Sequence, residues 1–127
     1  LRNKDGVCVA LLTAAAHADR SLDDRIADIV DAHGDVFQDR VSVDCPDARK
    51  GAVLDELAAS LPDSVAGASV ERVNDVDGFK IVLADDSWLL VRPSGTEPKM
   101  RIYAEAGDAA RVERLLAAGR DLVDPLV

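Results

Sequence analysis

Hydrophobic positions along the chain change period several times, and each change marks an element. Residues 6–18, GVCVALLTAAAHA, are apolar on nearly every side, so a helix here needs cover from several directions. A second helix opens at Ser21, where Ser21 and Asp24 have capping-box spacing with Asp in place of Glu or Gln. Leu22, Ile26, Ile29 and Val30 form its apolar face, and Gly34 ends it. Val41, Val43 and Cys45 then alternate with Ser42 and Asp44, the period of a strand. Pro46 stops that strand, and Asp47 is placed to cap a helix reaching about Leu61, with Val53, Leu54, Leu57, Ala58 and Leu61 as its buried stripe.

A run of strands follows. Residues 69–74 form the first. The Asp77-Gly78 turn leads into 79–84, Asp85-Asp86 turns into 88–92, and 99–105 comes last. In that last strand Met100, Ile102 and Ala104 share one face, while Lys99, Arg101 and Tyr103 share the other. Asp108 caps a final helix with the stripe Val112, Leu115, Leu116, Leu122 and Val123. The pattern predicts a two-layer α+β domain over 36–127, with a four-stranded, mostly antiparallel sheet and two helices. Residues 1–20 read as the last helix of a preceding domain and 21–35 as a linker helix. Leu1 stands where an initiator Met would, and no signal pattern follows it, so an internal cut in a longer protein is expected.

Charge narrows the partners. A net charge of -9 and a pI of about 4.5 argue against nucleic acid or an anionic membrane. No apolar run is long enough to span a bilayer. The acids are 19 Asp against 5 Glu, and the bases 11 Arg against 4 Lys, the pattern of a salt-adapted surface. Cys8 and Cys45 lack ligand or redox spacing and suit a reducing cytoplasm. His17 has no acid or nucleophile at useful spacing and reads as a helix-end residue.

The chemistry concentrates in residues 92–99, RPSGTEPK. Arg92 offers a planar two-pronged donor suited to phosphate. Pro93 holds Arg92 extended. Ser94 and Thr96 bring hydroxyls two apart, and Gly95 between them lets an oxyanion approach the backbone. Successive N–H groups in such a turn form an anion-binding concavity. Arg101 shares a face with Lys99 and adds charge. No nucleophile-plus-base pair is present, so the segment suits binding rather than bond making. On residue type alone it serves equally as a tight surface hairpin. Glu97 lacks a second carboxylate at a defined distance and reads as a loop-ordering group rather than an acid catalyst. Asp85-Asp86 reads as a turn rather than a metal site, and Trp88 and Tyr103 as packing groups.

The eight residues RPSGTEPK, followed by MRIYAEA at 100–106 and preceded by Asp77-Gly78-Phe79-Lys80 and Trp88, resemble the C-terminal domain of the α-D-phosphohexomutases. The composition suits a member from a halophilic archaeon. The resemblance implies a four-domain enzyme interconverting hexose 1-phosphate and hexose 6-phosphate. In it a phosphoserine of the first domain transfers the phosphoryl group and an Asp cluster of the second holds Mg²⁺. This domain would hold the substrate's existing phosphate through Arg92, Ser94, Gly95 and Thr96, with Arg101 beside them. By the same resemblance the catalytic and metal-binding loops lie outside this sequence. The chain alone is then expected to be inactive and metal-free, with hexose phosphate and the enzyme's N-terminal domains as partners in the cytoplasm. Glucose, mannose and glucosamine phosphate stand equally open. The alternative is a non-catalytic anion-binding or interaction module on the same fold.

Overall fold

A computed structural model describes residues 5–127. The described residues divide into two compact units, 5–35 and 36–127. In the first, α1 (Gly6–Asp19) and α2 (Leu22–His33) are each capped by a side chain. Asp5 accepts from the Cys8 N–H at 3.0 Å, and Ser21 Oγ accepts from the Asp24 N–H at 3.1 Å, the bond that the capping-box spacing predicts. Gly34 closes α2 in the left-handed region, with φ 83°. His17 accepts from the Leu22 N–H at 3.4 Å, which fits a helix-end residue. Neither helix buries a residue, and Val7, Val9, Leu11 and Leu12 of α1 are each more than half exposed.

The second unit is built on one antiparallel sheet. Its strands are β1 (Phe37–Asp44), β2 (Ser64–Val65), β3 (Ala68–Asn74), β4 (Phe79–Leu83), β5 (Trp88–Pro93) and β6 (Lys99–Ala106), in the order β1-β6-β5-β4-β3-β2. The sheet therefore has six strands rather than four. β1 joins along its full length beside β6, from Phe37 opposite Ala106 to Asp44 opposite Lys99. Its first half, Phe37-Gln38-Asp39-Arg40, is exposed and lies at the sheet edge, so no buried alternation marks it in sequence. β2 is two residues long, too short to carry a period.

Because β1 and β2 lie on opposite edges, the chain joining them crosses the sheet. α3 (Lys50–Ser60) lies on that crossing, after a 3-10 turn at Asp47–Arg49. Asp47 does not cap α3; it pairs with Lys50 at 2.6 Å. Val53 and Leu57 are buried and Leu54 and Leu61 half-buried, but Ala58 is exposed. α4 (Ala109–Val123), capped by Asp108 through the Arg111 N–H at 2.7 Å, packs on β1, β5 and β6. Ile81, Leu83, Leu89, Val91, Met100 and Ile102 meet Leu57, Leu115 and Val123 in a core from which water is excluded. Each such side chain contributes about 1.5–3 kcal/mol by burial. Gly119 is the contact point of α4: a Cβ there would lie 2.7 Å from Ile102 Cγ2.

With the helices on one face, alternation leaves the other face half-exposed, with Lys80, Val82, Trp88, Leu90 and Arg92 on β4 and β5. β6 shows this strictly, with Met100, Ile102, Ala104 and Ala106 buried and the residues between them half-exposed. Among the described residues no helix is long and apolar enough to cross a membrane.

Candidate functional site

The β5–β6 connection projects from the centre of the sheet, and its residues are 94–98. Two backbone bonds shape it: Ser94 N–H to Lys99 C=O at 2.9 Å, and Lys99 N–H to Glu97 C=O at 2.8 Å. A third fixes it to the end of β1, from Cys45 N–H to Pro98 C=O at 2.9 Å. Lys50, at the start of α3, donates to Ser94 C=O at 2.6 Å and Glu97 C=O at 2.7 Å. Among the described residues, no acceptor takes the N–H groups of Gly95, Thr96 or Glu97. Buried backbone groups are normally paired; these three lie in exposed residues and are free to meet solvent or a ligand.

Ser94 differs from the rest of the loop in being buried. It is 4% exposed, and its Oγ is buried without a hydrogen-bond partner. A buried hydroxyl left unpaired costs about 1–3 kcal/mol, so such an atom calls for a reason. Thr96 and Gly95 are exposed, and a Cβ built on Gly95 would meet no atom within 4 Å. Neither packing nor a positive φ demands glycine there.

Arg92 on β5 and Arg101 on β6 are directly opposed cross-strand partners. Like charges at that position repel. Each is held by a loop carboxylate: Arg92 by Asp77 at 3.2 Å, Arg101 by Glu97 at 2.8 Å, with Lys99 also 3.5 Å from Glu97. The hydrogen bond from Arg101, followed by the Lys99 charge, holds the Glu97 carboxyl below the usual carboxylate range. All four side chains of the two arginine pairs keep more than a quarter of their surface in water, and pairs of this kind are worth only about 0–1 kcal/mol. Either carboxylate can therefore be released at little cost.

Further along the same face, Arg40 is the cross-strand partner of Tyr103. Burial pushes the Tyr103 hydroxyl up, but the neighbouring guanidinium groups of Arg101 and Arg40 outweigh it and bring it below its ordinary value. Trp88 donates through Nε1 to Glu105 at 2.8 Å and carries the Lys80 ammonium 3.8 Å from its ring centre, so it is committed within the sheet. Asp85 bonds Ser87 and pairs with the buried Arg111 at 2.9 Å, which accounts for the Asp85-Asp86 turn without a metal. Among the described residues no group of three or more metal-ligating side chains occurs.

The loop, its arginines and the strand order invite comparison with known proteins. Residues 41–122, more than half of the chain, match the family model described as phosphoglucomutase/phosphomannomutase, C-terminal domain. The chain belongs to this family. Among curated relatives of this C-terminal domain, a phosphopentomutase from Thermococcus kodakarensis is 42% identical over 60 residues, which are 47% of this chain and 13% of that protein. A probable phosphoglucosamine mutase from Pyrococcus horikoshii is 46% identical over 59 residues, 46% of this chain and 13% of the relative. The chain thus spans only a small part of the length of the curated relatives it matches. A solved phosphoglucomutase/phosphomannomutase family protein from Burkholderia thailandensis superposes with TM-score 0.57 at 17% identity, over 77% of this chain and 19% of that one. That likeness supports the α+β fold.

Lys50 is the residue of the site that the sequence reading missed. It lies 44 positions before Ser94, so no local spacing connects them. Its scarcity is the one available signal: the chain has 4 Lys against 11 Arg.

Proposed function

We propose that this C-terminal domain holds the existing phosphate of a sugar-phosphate substrate in a full-length phosphomutase. Arg92, Ser94, Gly95 and Thr96 form the grip, and Arg101 adds charge beside it. The observation that carries the reading is the unpartnered buried Ser94 Oγ beside three successive free N–H groups and an opposed arginine pair. An anion with several acceptor oxygens would take the free N–H groups and both arginines together, and Ser94 Oγ as well once that hydroxyl opens to it. Arg92 and Arg101 exchange their carboxylates for it, and the repulsion across β5 and β6 becomes attraction.

Holding a phosphate that does not react is useful in phosphoryl transfer. The reaction depends on positioning and charge neutralisation, and binding energy at a remote group orients the reacting one. A domain that grips and swings also excludes water from a phosphorylated intermediate. In the proposed enzyme the phosphoserine and the Mg²⁺ site belong to domains outside this chain. Residues 1–20 are read as the last helix of the preceding domain and 21–35 as the linker, with 36–127 the phosphate-binding domain. The exposed apolar side chains of α1 support that reading.

Relatives named phosphoglucosamine mutase and phosphopentomutase widen the substrate choice from hexose to pentose phosphates. Assaying the full-length protein on glucose, mannose, glucosamine and ribose 1-phosphates selects among them. Conversion of one sugar phosphate supports the mutase reading. No conversion, with phosphate binding retained, supports instead a non-catalytic anion-binding module.

A further inference from the structure

We propose that Lys50 is a positioning residue that aims and polarises the Gly95 N–H toward the bound phosphate, an inference that rests on reading the loop as the phosphate grip. The Lys50 side chain is 13% exposed; its ammonium donates to Ser94 C=O at 2.6 Å and Glu97 C=O at 2.7 Å and forms an ion pair with Asp47 Oδ1 at 2.6 Å. Two carbonyls and one carboxylate thus hold the ammonium.

The peptide plane transmits the effect. The Ser94 C=O and the Gly95 N–H belong to one planar trans unit and point in opposite directions. Drawing the carbonyl oxygen onto Lys50 turns the Gly95 N–H away from Lys50, to the side where it has no acceptor. A cation on the carbonyl oxygen also withdraws electrons from the amide, and hydrogen bonds in such a chain strengthen one another. Glu97 C=O is held in the same way, and the residue after it is Pro98, which has no N–H to aim. Its bond to Lys50 therefore closes the loop from the other end. Charge also favours the arrangement, since Lys50 adds a positive centre on the carbonyl side of the loop.

The test uses ¹H–¹⁵N spectra of the 127-residue chain titrated with inorganic phosphate, for wild type, Lys50→Met, Lys50→Arg and Arg92→Ala. In wild type, phosphate should shift the Gly95 and Thr96 amides and, through the peptide, the Lys50 Nζ resonance. Without phosphate, Lys50→Met should move the Gly95 amide proton upfield while signals from β3 and β4 stay in place. Its phosphate affinity should fall about 2- to 12-fold, the loss of one ordinary hydrogen bond, with partial recovery in Lys50→Arg. A Gly95 shift and a phosphate affinity unchanged in Lys50→Met overturn the inference. So does a wild-type Lys50 Nζ signal that ignores phosphate while Gly95 responds, a readout that holds even if Lys50→Met fails to fold. Failure of the grip reading looks different: phosphate then leaves the Gly95 and Thr96 amides of wild type unmoved, and Arg92→Ala behaves as wild type. The phosphate-free Gly95 shift still decides the role of Lys50 in that case.

Discussion

Gly78 lies directly against Arg92. A Cβ built on Gly78 would stand 2.7 Å from Arg92 Cβ and 2.7 Å from Val91 O, and Gly78 has φ +114°. Both facts exclude a side chain, so the Asp77-Gly78 turn does more than reverse the chain. It lets β4 begin beneath the arginine of the proposed grip and places Asp77 where it pairs with Arg92.

Gly78→Ala is therefore expected to cost about 1–3 kcal/mol through backbone strain and displacement of β5. Gly95→Ala is expected to stay within about 0.5 kcal/mol, because its φ is not positive and its Cβ would meet nothing. Urea midpoints of the two variants check the contrast. Equal midpoints would mean that the turn tolerates a side chain and that the close contact is unimportant.

Why one glycine of the site was legible and the lysine was not follows from range. The Asp77-Gly78 turn, the alternation of residues 99–105 and the caps at Ser21 and Asp108 are written within a few residues of themselves. The resemblance to the family was also carried by a contiguous run, 92–99. Only the second half of the edge strand was read, because its first half, Phe37–Arg40, is exposed and has no buried face to alternate with. The burial of Ser94 is not written in its neighbours, because it depends on elements remote in sequence. Lys50 was missed for the same reason, reaching across 44 residues to a carbonyl, a group that every residue carries.

Arg111 and Asp85 give the fold a pH-dependent clamp. Arg111 is buried on α4, bonds the Ala66 carbonyl and pairs with Asp85 in the β4–β5 turn. Burial pushes the Asp85 carboxyl up, but the Ser87 hydroxyl bond and the Arg111 charge outweigh it, and its pKa lies below the ordinary value. A depressed carboxyl stabilises the fold above its unfolded pKa of about 3.9, and the contribution is lost as pH falls through the lower folded value. The stability gap between wild type and Asp85→Asn should be full near neutrality and close below pH 4. A gap that stays constant from neutral pH into the acid range would show that the charge is not what matters. Arg111→Met should cost about 1–3 kcal/mol at neutral pH, because it strips a buried carbonyl and a partly buried carboxylate of their donor.

Stability should rise with salt. The ion pairs around Glu97, Asp77 and Asp28 attract, but they are exposed and each is weak. Against them stands a net charge of -9 on a 127-residue chain. Raising salt from 0.1 M to 1 M shortens the Debye length from about 10 Å to about 3 Å and screens both kinds of interaction. The repulsive excess has no counterpart to cancel it, so the thermal midpoint should climb between low and molar KCl. A flat or falling midpoint would mean that the surface pairs outweigh the net charge and that the Asp-rich composition is not salt adaptation.

The central prediction concerns Arg92 in the full-length protein. Its guanidinium is committed only to a weak exposed pair with Asp77, so removing it leaves no buried group unpaired and the fold should survive. If it grips phosphate, Arg92→Ala loses a charge-assisted bond worth about 1.5–3 kcal/mol, or roughly 10- to 150-fold in kcat/KM. The loss should appear mainly as a raised KM, with a lower kcat as well where cleft closure depends on the grip. Arg92→Lys should recover only part, because a point charge replaces a two-pronged fork. Arg114→Ala, an exposed change on α4 away from the loop, is the control. Its kcat/KM should match wild type. Should Arg92→Ala match it too, the Arg92–Lys99 segment is a surface hairpin and the phosphate is held elsewhere.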